Sequence, residues 1–360
     1  MSRSTHRVGL VGAGRIAAVH AGFVRGTPGA DVVAVCDADA AAAENFASER
    51  GIPSHYGSLD DMMTSEEPNI VHICTPPATH ANLAIAAMEQ GANVFVEKPM
   101  AMNVEDCDRM IETAERYGRR ICVDHNRLLD PVMAQARKLV DSGKLGDVVM
   151  VEAHQGVNPP ENGGSEHWSI ADAFAPLYNL GPHPLYLVEA FSGPATDIVV
   201  QGAKIASDGV LREIRILLPG ENCDAYVCFS MGAQPYLNHV NIYGTKGTAR
   251  INLNTMTLVL DREHPGPKMV GKLLANLDPA WQMVRSTISV TLQVALRRMK
   301  TYPGIGNTIR AFYRSLDEGA PPPNDGASGR ENVRVLRAIE DALRDDRRDT
   351  GPRGETRWNS

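Results

Sequence analysis

The run Val8-Gly9-Leu10-Val11-Gly12-Ala13-Gly14-Arg15-Ile16-Ala17 sets a Gly-x-Gly-x-x-Ala pattern between a strand-like apolar segment and a helix start. Residues of these types at this spacing can cradle a diphosphate. Gly12 permits a tight turn, Gly14 lets a pyrophosphate approach the backbone, and Ala17 allows close helix–strand packing. The helix opening at Arg15 and Ile16 supplies free N–H groups and partial positive charge. Asp37 closes the next apolar run, 23 residues after Gly14. A carboxylate there can accept from both hydroxyls of an adenosine ribose and would repel a 2′-phosphate, which favours NAD over NADP. Arg15 and Arg50 are the nearby cations that would permit mixed use.

These groups need a scaffold, and the first ~125 residues supply one. Short apolar runs at Val8–Val11, Val32–Cys36, Ile70–Cys74, Asn93–Val96 and Arg120–Val123 are separated by helical patterns. That alternation predicts a parallel, doubly wound α/β (Rossmann) domain over 1–125. Beyond Asp147 the runs Val148–Val157, Asp197–Ile205, Leu211–Leu218, Ala225–Met231 and Val240–Tyr243 follow one another with few helices between. They predict an open, mainly antiparallel sheet, so that 126–345 forms a second, α+β domain. A polar tail, 346–360, is expected to fray from the last helix.

Composition narrows the function classes. The chain has 360 residues, 43% hydrophobic and 22% charged, the profile of a globular protein of about two domains. A net charge of −7 and 5% aromatic residues argue against a nucleic-acid binder. The six cysteines form no CxxC pair and no zinc-like spacing, so neither a metal nor a disulfide is expected. The N-terminus lacks the apolar core of a secretory signal, and no uncharged apolar run is long enough to span a bilayer. The expected location is the cytoplasm.

Three further segments make the chain recognisable: Cys74-Thr75-Pro76-Pro77-Ala78-Thr79-His80, Glu97-Lys98-Pro99 and Asn126-Arg127-Leu128-Leu129-Asp130-Pro131. With the glycine pattern, Leu180-Gly181-Pro182-His183 and Tyr243-Gly244-Thr245-Lys246-Gly247, they resemble the Gfo/Idh/MocA oxidoreductases. The resemblance covers most of the chain and thins over about 262–316. It implies a Rossmann domain followed by an open-sheet domain, with substrate in the cleft between them. Lys98 would then lie nearest nicotinamide and the reacting hydroxyl, and Glu97 would bond a ribose hydroxyl. Thr75, Pro77, His80 and Arg127 would complete the cofactor site, and Pro99 would follow a cis peptide. By residue type alone Lys98 would be a solvated surface charge, and only the motif reverses that reading.

In the second domain Asn179 and His183 are four apart and share one helical face if the helix is regular. The resemblance implies that His183 exchanges the substrate proton, and an imidazole suits that work near neutral pH. The family commonly carries Asp where this chain has Asn179, and an amide can orient a group but cannot take its proton. That departure tilts the expectation towards a sugar or sugar-nucleotide rather than free inositol. Tyr186 stands where many relatives have an acid. Tyr178, Tyr186, His154 and Trp168 are cleft candidates by position only.

The resulting expectation is hydride transfer between a secondary alcohol of a carbohydrate-like substrate and NAD. Two alternatives stand beside it: a redox-neutral enzyme that holds NAD tightly and works through a transient keto sugar, and a non-catalytic NAD-binding regulator. A homo-dimer or tetramer is expected from the resemblance.

One segment remains outside this reading. From Lys268 to Arg314 there are eight basic residues and a single acid, Asp278, so the rest of the chain carries −14. The segment is also rich in Leu, Val, Ile and Met. It reads foremost as an insertion covering the second sheet or an oligomer contact, with a membrane or lipid-linked-substrate surface and a phosphate-binding wall as alternatives.

Overall fold

The computed structural model of the chain describes residues 6–156, 173–206, 210–264, 266–296, 299 and 301–350, the last five by their backbone. Six strands, β1 (His6–Val11), β2 (Ala30–Cys36), β3 (Ser54–Tyr56), β4 (Ile70–Ile73), β5 (Asn93–Val96) and β6 (Ile121–Val123), form one all-parallel sheet. Its order is β3-β2-β1-β4-β5-β6, which puts the switch point between β1 and β4. In an open parallel sheet that is where a ligand crevice opens at the carboxyl ends of the strands. Five helices connect these strands: α1 (Arg15–Arg25), α2 (Ala40–Arg50), α3 (Leu59–Glu66), α4 (His80–Glu89) and α5 (Val104–Tyr117).

The strands are buried on both faces, which is why they read as continuous apolar runs rather than alternating ones. The helix starts follow the sequence. Asn103 caps α5 by accepting from the Asp106 N–H, with Glu105 and Asp106 in the first turn where carboxylates favour the dipole.

After α6 (Pro131–Asp141) the second sheet begins with β7 (Val148–Gly156), followed by α7 (Ala175–Leu180) and α8 (Pro182–Ser192). Strands β8 (Val199–Ile205), β9 (Leu211–Leu218), β10 (Asp224–Ser230), β11 (Asn238–Gly244), β12 (Gly247–Asn252) and β13 (Thr257–Asp261) complete it. The order is β13-β12-β11-β7-β10-β9-β8, antiparallel throughout except for the β7–β10 pair. Alternation is clear along β10 and β12, whose inward residues Ala225, Val227, Ala249 and Ile251 pack with Leu185, Tyr186 and Leu336. Among the described residues no helix layer covers the other face of the sheet.

Three helices close the described chain: α9 (Lys268–Ala295), α10 (Pro303–Glu318) and α11 (Gly326–Thr350). Here the structure amends the expectation of a second domain running over 126–345. On α10, Ile305, Ile309, Phe312 and Tyr313 pack with Val8, Leu10 and Phe95, inside the core of the parallel sheet. Gly306 makes this approach by lying against the Phe23 ring, where a Cβ would come within 2.4 Å. Val333 of α11 also joins the first domain, whereas Val335, Leu336 and Ile339 join the second. The helix runs to Thr350, past the start of the tail expected at 346.

The basic apolar segment is therefore two unlike helices. α10 is buried against the first domain, and α9 stands on the edge strand β13 with none of its residues buried.

Candidate active site

At the end of β1 the chain turns through Gly12 at φ +99°, a conformation that L side chains rarely adopt. A Cβ there would also stand 2.8 Å from the Cys74 carbonyl oxygen, so both dihedral and space require glycine. Gly14 has open space where its side chain would be, and as N-cap of α1 it offers no side-chain cap. The first N–H groups of α1 are thus left for another acceptor. Asp37 accepts from the Ala13 N–H at 2.8 Å and from the Asp39 N–H at 3.0 Å, tying the glycine turn to the end of β2. Arg15 is exposed and Ile16 half-buried at this mouth. A cradle that excludes a Cβ, free helix N–H groups and a carboxylate at the end of the neighbouring strand fit an adenine dinucleotide.

Thr75 and Pro77 begin the loop after β4, with Thr75 bonded to Thr79 and Pro77 buried at the head of a short 3-10 turn. The His80 ring is fully buried, with the Pro99 carbonyl oxygen 2.9 Å from Nδ1 and the Thr75 carbonyl oxygen 2.9 Å from Nε2, so it sits between the two motifs.

Lys98 follows β5, and its peptide bond to Pro99 is cis. Its ammonium donates to the main-chain oxygen of Asn179 at 2.5 Å. The reason lies in α7, which ends at Leu180. The last carbonyls of a helix lack intrahelical donors, and Pro182, three residues after Asn179, has no N–H to offer. Asn179 lies at the end of α7 and His183 at the start of α8, with Gly181 between them in helical dihedrals. Asn179 meets Lys98 through its backbone.

His183 is half-buried on α8, its Nδ1 2.7 Å from the Tyr186 hydroxyl. That hydroxyl also accepts from the Arg127 backbone N–H at 3.3 Å. In the tautomer with Nδ1–H donating to Tyr186, Nε2 keeps a free lone pair; with the Tyr186 hydroxyl donating to Nδ1, Nε2 carries the proton. Burial, together with the Lys98 and Arg127 cations, pushes the imidazole well below its ordinary pKa, so it stays neutral. Burial likewise lowers the Lys98 pKa, Glu97 opposing and Arg127 reinforcing it.

Two cleft candidates fall elsewhere. Tyr178 is buried in the second core and donates to Glu340 on α11 at 2.5 Å. His154 lies on the helix-free face of β7, against Glu152 at 2.6 Å; its pKa is raised to about 9 by Cys228 and Glu152. Period-2 alternation sends it away from Val151 and Ala153, which face α8. Tyr186 is 2% exposed, so it holds His183 rather than opening to the cleft. Trp168 lies outside the described residues.

Behind Lys98 runs a buried polar chain that no local pattern signalled. Tyr313 on α10 bonds His72 at 2.8 Å, His72 bonds His20 at 3.0 Å, and His20 bonds Glu97 at 3.0 Å. One N–H per ring satisfies every link: Tyr313 donates to His72, His72 to His20, and His20 to Glu97. Burial opposes the Glu97 charge, but His20 and Lys98 outweigh it and hold the carboxyl below its usual range. Burial and that negative neighbour push Asp124 well above its usual range, so it is the protonated partner of the pair. His20, Glu97 and Asp124 bring ligand-type atoms within 4.8 Å of one another, and shared protons account for this cluster. His125 stacks on Tyr186 at 4.4 Å and is fully buried, its pKa driven down to about 3 by burial and Lys98.

The chain is similar to known proteins in both of its parts. A family model described as an oxidoreductase family with an NAD-binding Rossmann fold matches residues 6–125, and the Gfo/Idh/MocA C-terminal domain matches 133–250. The chain belongs to the Gfo/Idh/MocA oxidoreductase family. Inositol 2-dehydrogenase of Rhizobium meliloti is 37% identical over 147 residues, 41% of this chain and 44% of that protein. D-glucoside 3-dehydrogenase of Escherichia coli is 31% identical over 154 residues, 42% of this chain and 44% of that protein. These aligned stretches span less than half of either relative. Among solved structures, the WlbA dehydrogenase of Bordetella pertussis, in complex with NADH and UDP-GlcNAcA, has a TM-score of 0.78. It is 21% identical, and the match covers 96% of this chain and 97% of that one. The shared fold of the Gfo/Idh/MocA family thus extends through the second sheet. No helix among the described residues is long and apolar enough to cross a membrane.

Proposed function

We propose that the protein is an NAD-dependent dehydrogenase acting on a secondary alcohol of a sugar, sugar-nucleotide or polyol-like substrate. The observation that carries this reading is the junction at which Lys98, from the first domain, reaches Asn179 beside His183 of the second. Gly12, Gly14, the α1 N-terminus, Asp37, Thr75, Glu97 and Arg127 would hold the cofactor, which when bound supplies the hydride acceptor or donor. Lys98 polarises and orients the substrate oxygen, since a cation lowers the pKa of an alcohol losing hydride. His183 takes the hydroxyl proton at Nε2, while Tyr186 fixes its tautomer and ring plane. Asn179 contributes a carbonyl that holds the Lys98 ammonium in place.

The named substrates of relatives support the carbohydrate class: inositol, a glucoside and a UDP-sugar. A panel of polyols, free sugars, glycosides and UDP-sugars, read by NADH absorbance, tests it. NADH formation with one of these compounds is expected. No reduction with any of them would overturn the dehydrogenase reading and favour the regulator.

NAD over NADP is part of the proposal and rests on Asp37. Because this carboxylate also holds the Ala13 N–H, its loss should loosen the turn as well as remove the ribose acceptor. Asp37→Ser is expected to weaken NAD about 10-fold or more and to improve NADP relative to it, measured by titration with both. An unchanged NAD/NADP ratio would count against this role. The expected homo-oligomer and cytoplasmic location belong to the same proposal.

A further inference from the structure

The helix α9 carries apolar residues around much of its circumference, and most of its large ones lie on the side away from the protein. The half-buried side that meets β13 mixes Leu274, Pro279 and Val290 with polar groups. Gln282 bonds the Leu260 main chain twice, accepting its N–H at 2.8 Å and donating to its carbonyl at 2.9 Å. Asp278 faces the same way, 3.8 Å from Arg262 and 3.6 Å from His264. The opposite side, at helical spacing, carries Met269 (77% exposed), Leu273 (58%), Leu277 (54%), Trp281 (65%), Ile288 (54%) and Leu292 (55%). Hydrophobic residues scattered over a surface need no explanation, but a continuous apolar stripe along 28 residues does. The helix extends about 42 Å.

Charge selects what covers this stripe. Lys268, Lys272 and Arg285 are exposed on α9, and no ion pair engages any of the three among the described residues. The sole acid of the helix, Asp278, is turned towards the protein. Two such helices from two copies would pair like charge with like, whereas an anionic bilayer satisfies both the stripe and its cations. Trp281, near the middle of the apolar side, suits the level of the headgroups.

We infer that α9 is an interfacial anchor that lays the edge of the second sheet on an anionic lipid surface, with its apolar side in the acyl boundary. The helix lies in the interface plane and does not cross it.

The test is co-sedimentation of the full chain with phosphatidylcholine vesicles with or without about 30% phosphatidylglycerol, at low and raised salt. Binding to the anionic vesicles, at least about 10-fold weaker on neutral ones and weakened by salt, is expected. The double variant Leu277→Glu/Trp281→Glu changes only exposed side chains and should reduce binding about 10-fold or more, with an unchanged thermal transition. No binding of the wild type at low salt would overturn the inference. So would equal binding by the variant, which moves the contact off α9. A fall in solution mass on making the variant, seen by light scattering, would assign the stripe to a second copy instead and equally overturn it.

Discussion

Lys98→Met should lower kcat for alcohol oxidation by about 10²- to 10⁴-fold, the range a positioned proton-handling or polarising group contributes. KM and dinucleotide affinity should change far less, because the phosphate cradle and Asp37 lie at other strand ends. Lys98→Arg should not restore the rate. The ammonium occupies a site bounded by Glu97 and the Asn179 carbonyl, and a planar guanidinium is wider and places its donors differently. A melting curve is the necessary control, since removing this cation leaves only His20 of the two groups that offset the burial of the Glu97 charge. Full turnover by a well-folded Lys98→Met would refute the assignment of the oxygen-polarising role.

His183→Ala should cost a comparable factor, about 10²–10⁴ in kcat, and its cause is separable through pH. The neutral imidazole is the working form, so activity falls as pH drops through the His183 pKa. Burial, Lys98 and Arg127 hold that pKa well below 6.5, so the wild-type acid limb should lie well under pH 6.5 and activity should be flat towards neutrality. In Lys98→Met one cation facing the ring is gone, and the residual acid limb should move up towards 6.5. Tyr186→Phe removes the partner of Nδ1 and should lower kcat about 10-fold with little change in KM, through loss of the tautomer and ring plane. The kcat/KM pH profile of all three variants checks this. An acid limb that stays in place without Lys98 would mean that the two groups do not share a site.

The dinucleotide-binding fold was the more legible half in the sequence, because its pattern is local. A glycine turn, a helix mouth and a strand-end carboxylate are each specified within a few positions. The catalytic half was readable only in part. Lys98 and His183 came from motifs that mark a position without explaining its partners. Asn179 was singled out for its amide, yet it is the main-chain carbonyl, at the end of α7, that meets Lys98. Tyr178 and His154 were placed near the cleft by proximity in sequence, and packing sent one into a core and the other to the far face of a strand. Their neighbours Tyr186 and Val151 differ from them by small steps of helix or strand rotation, which sequence distance does not reveal.

By itself the sequence determined the parallel Rossmann domain, the open second sheet, the dinucleotide cradle and the family. Hydrophobic period, turn glycines and short motifs act over a few residues and so survive without a third dimension. Only the tertiary structure decided where the amphipathic helices went. α10 and α9 are adjacent and apolar-striped, yet one packs against β1 and β5 and completes the buried Tyr313–His72–His20–Glu97 chain, while the other turns its stripe outward. An apolar stripe states that something must cover it. Which surface does so depends on complementary shape and charge contributed by residues hundreds of positions away, and that information exists only once the chain has folded.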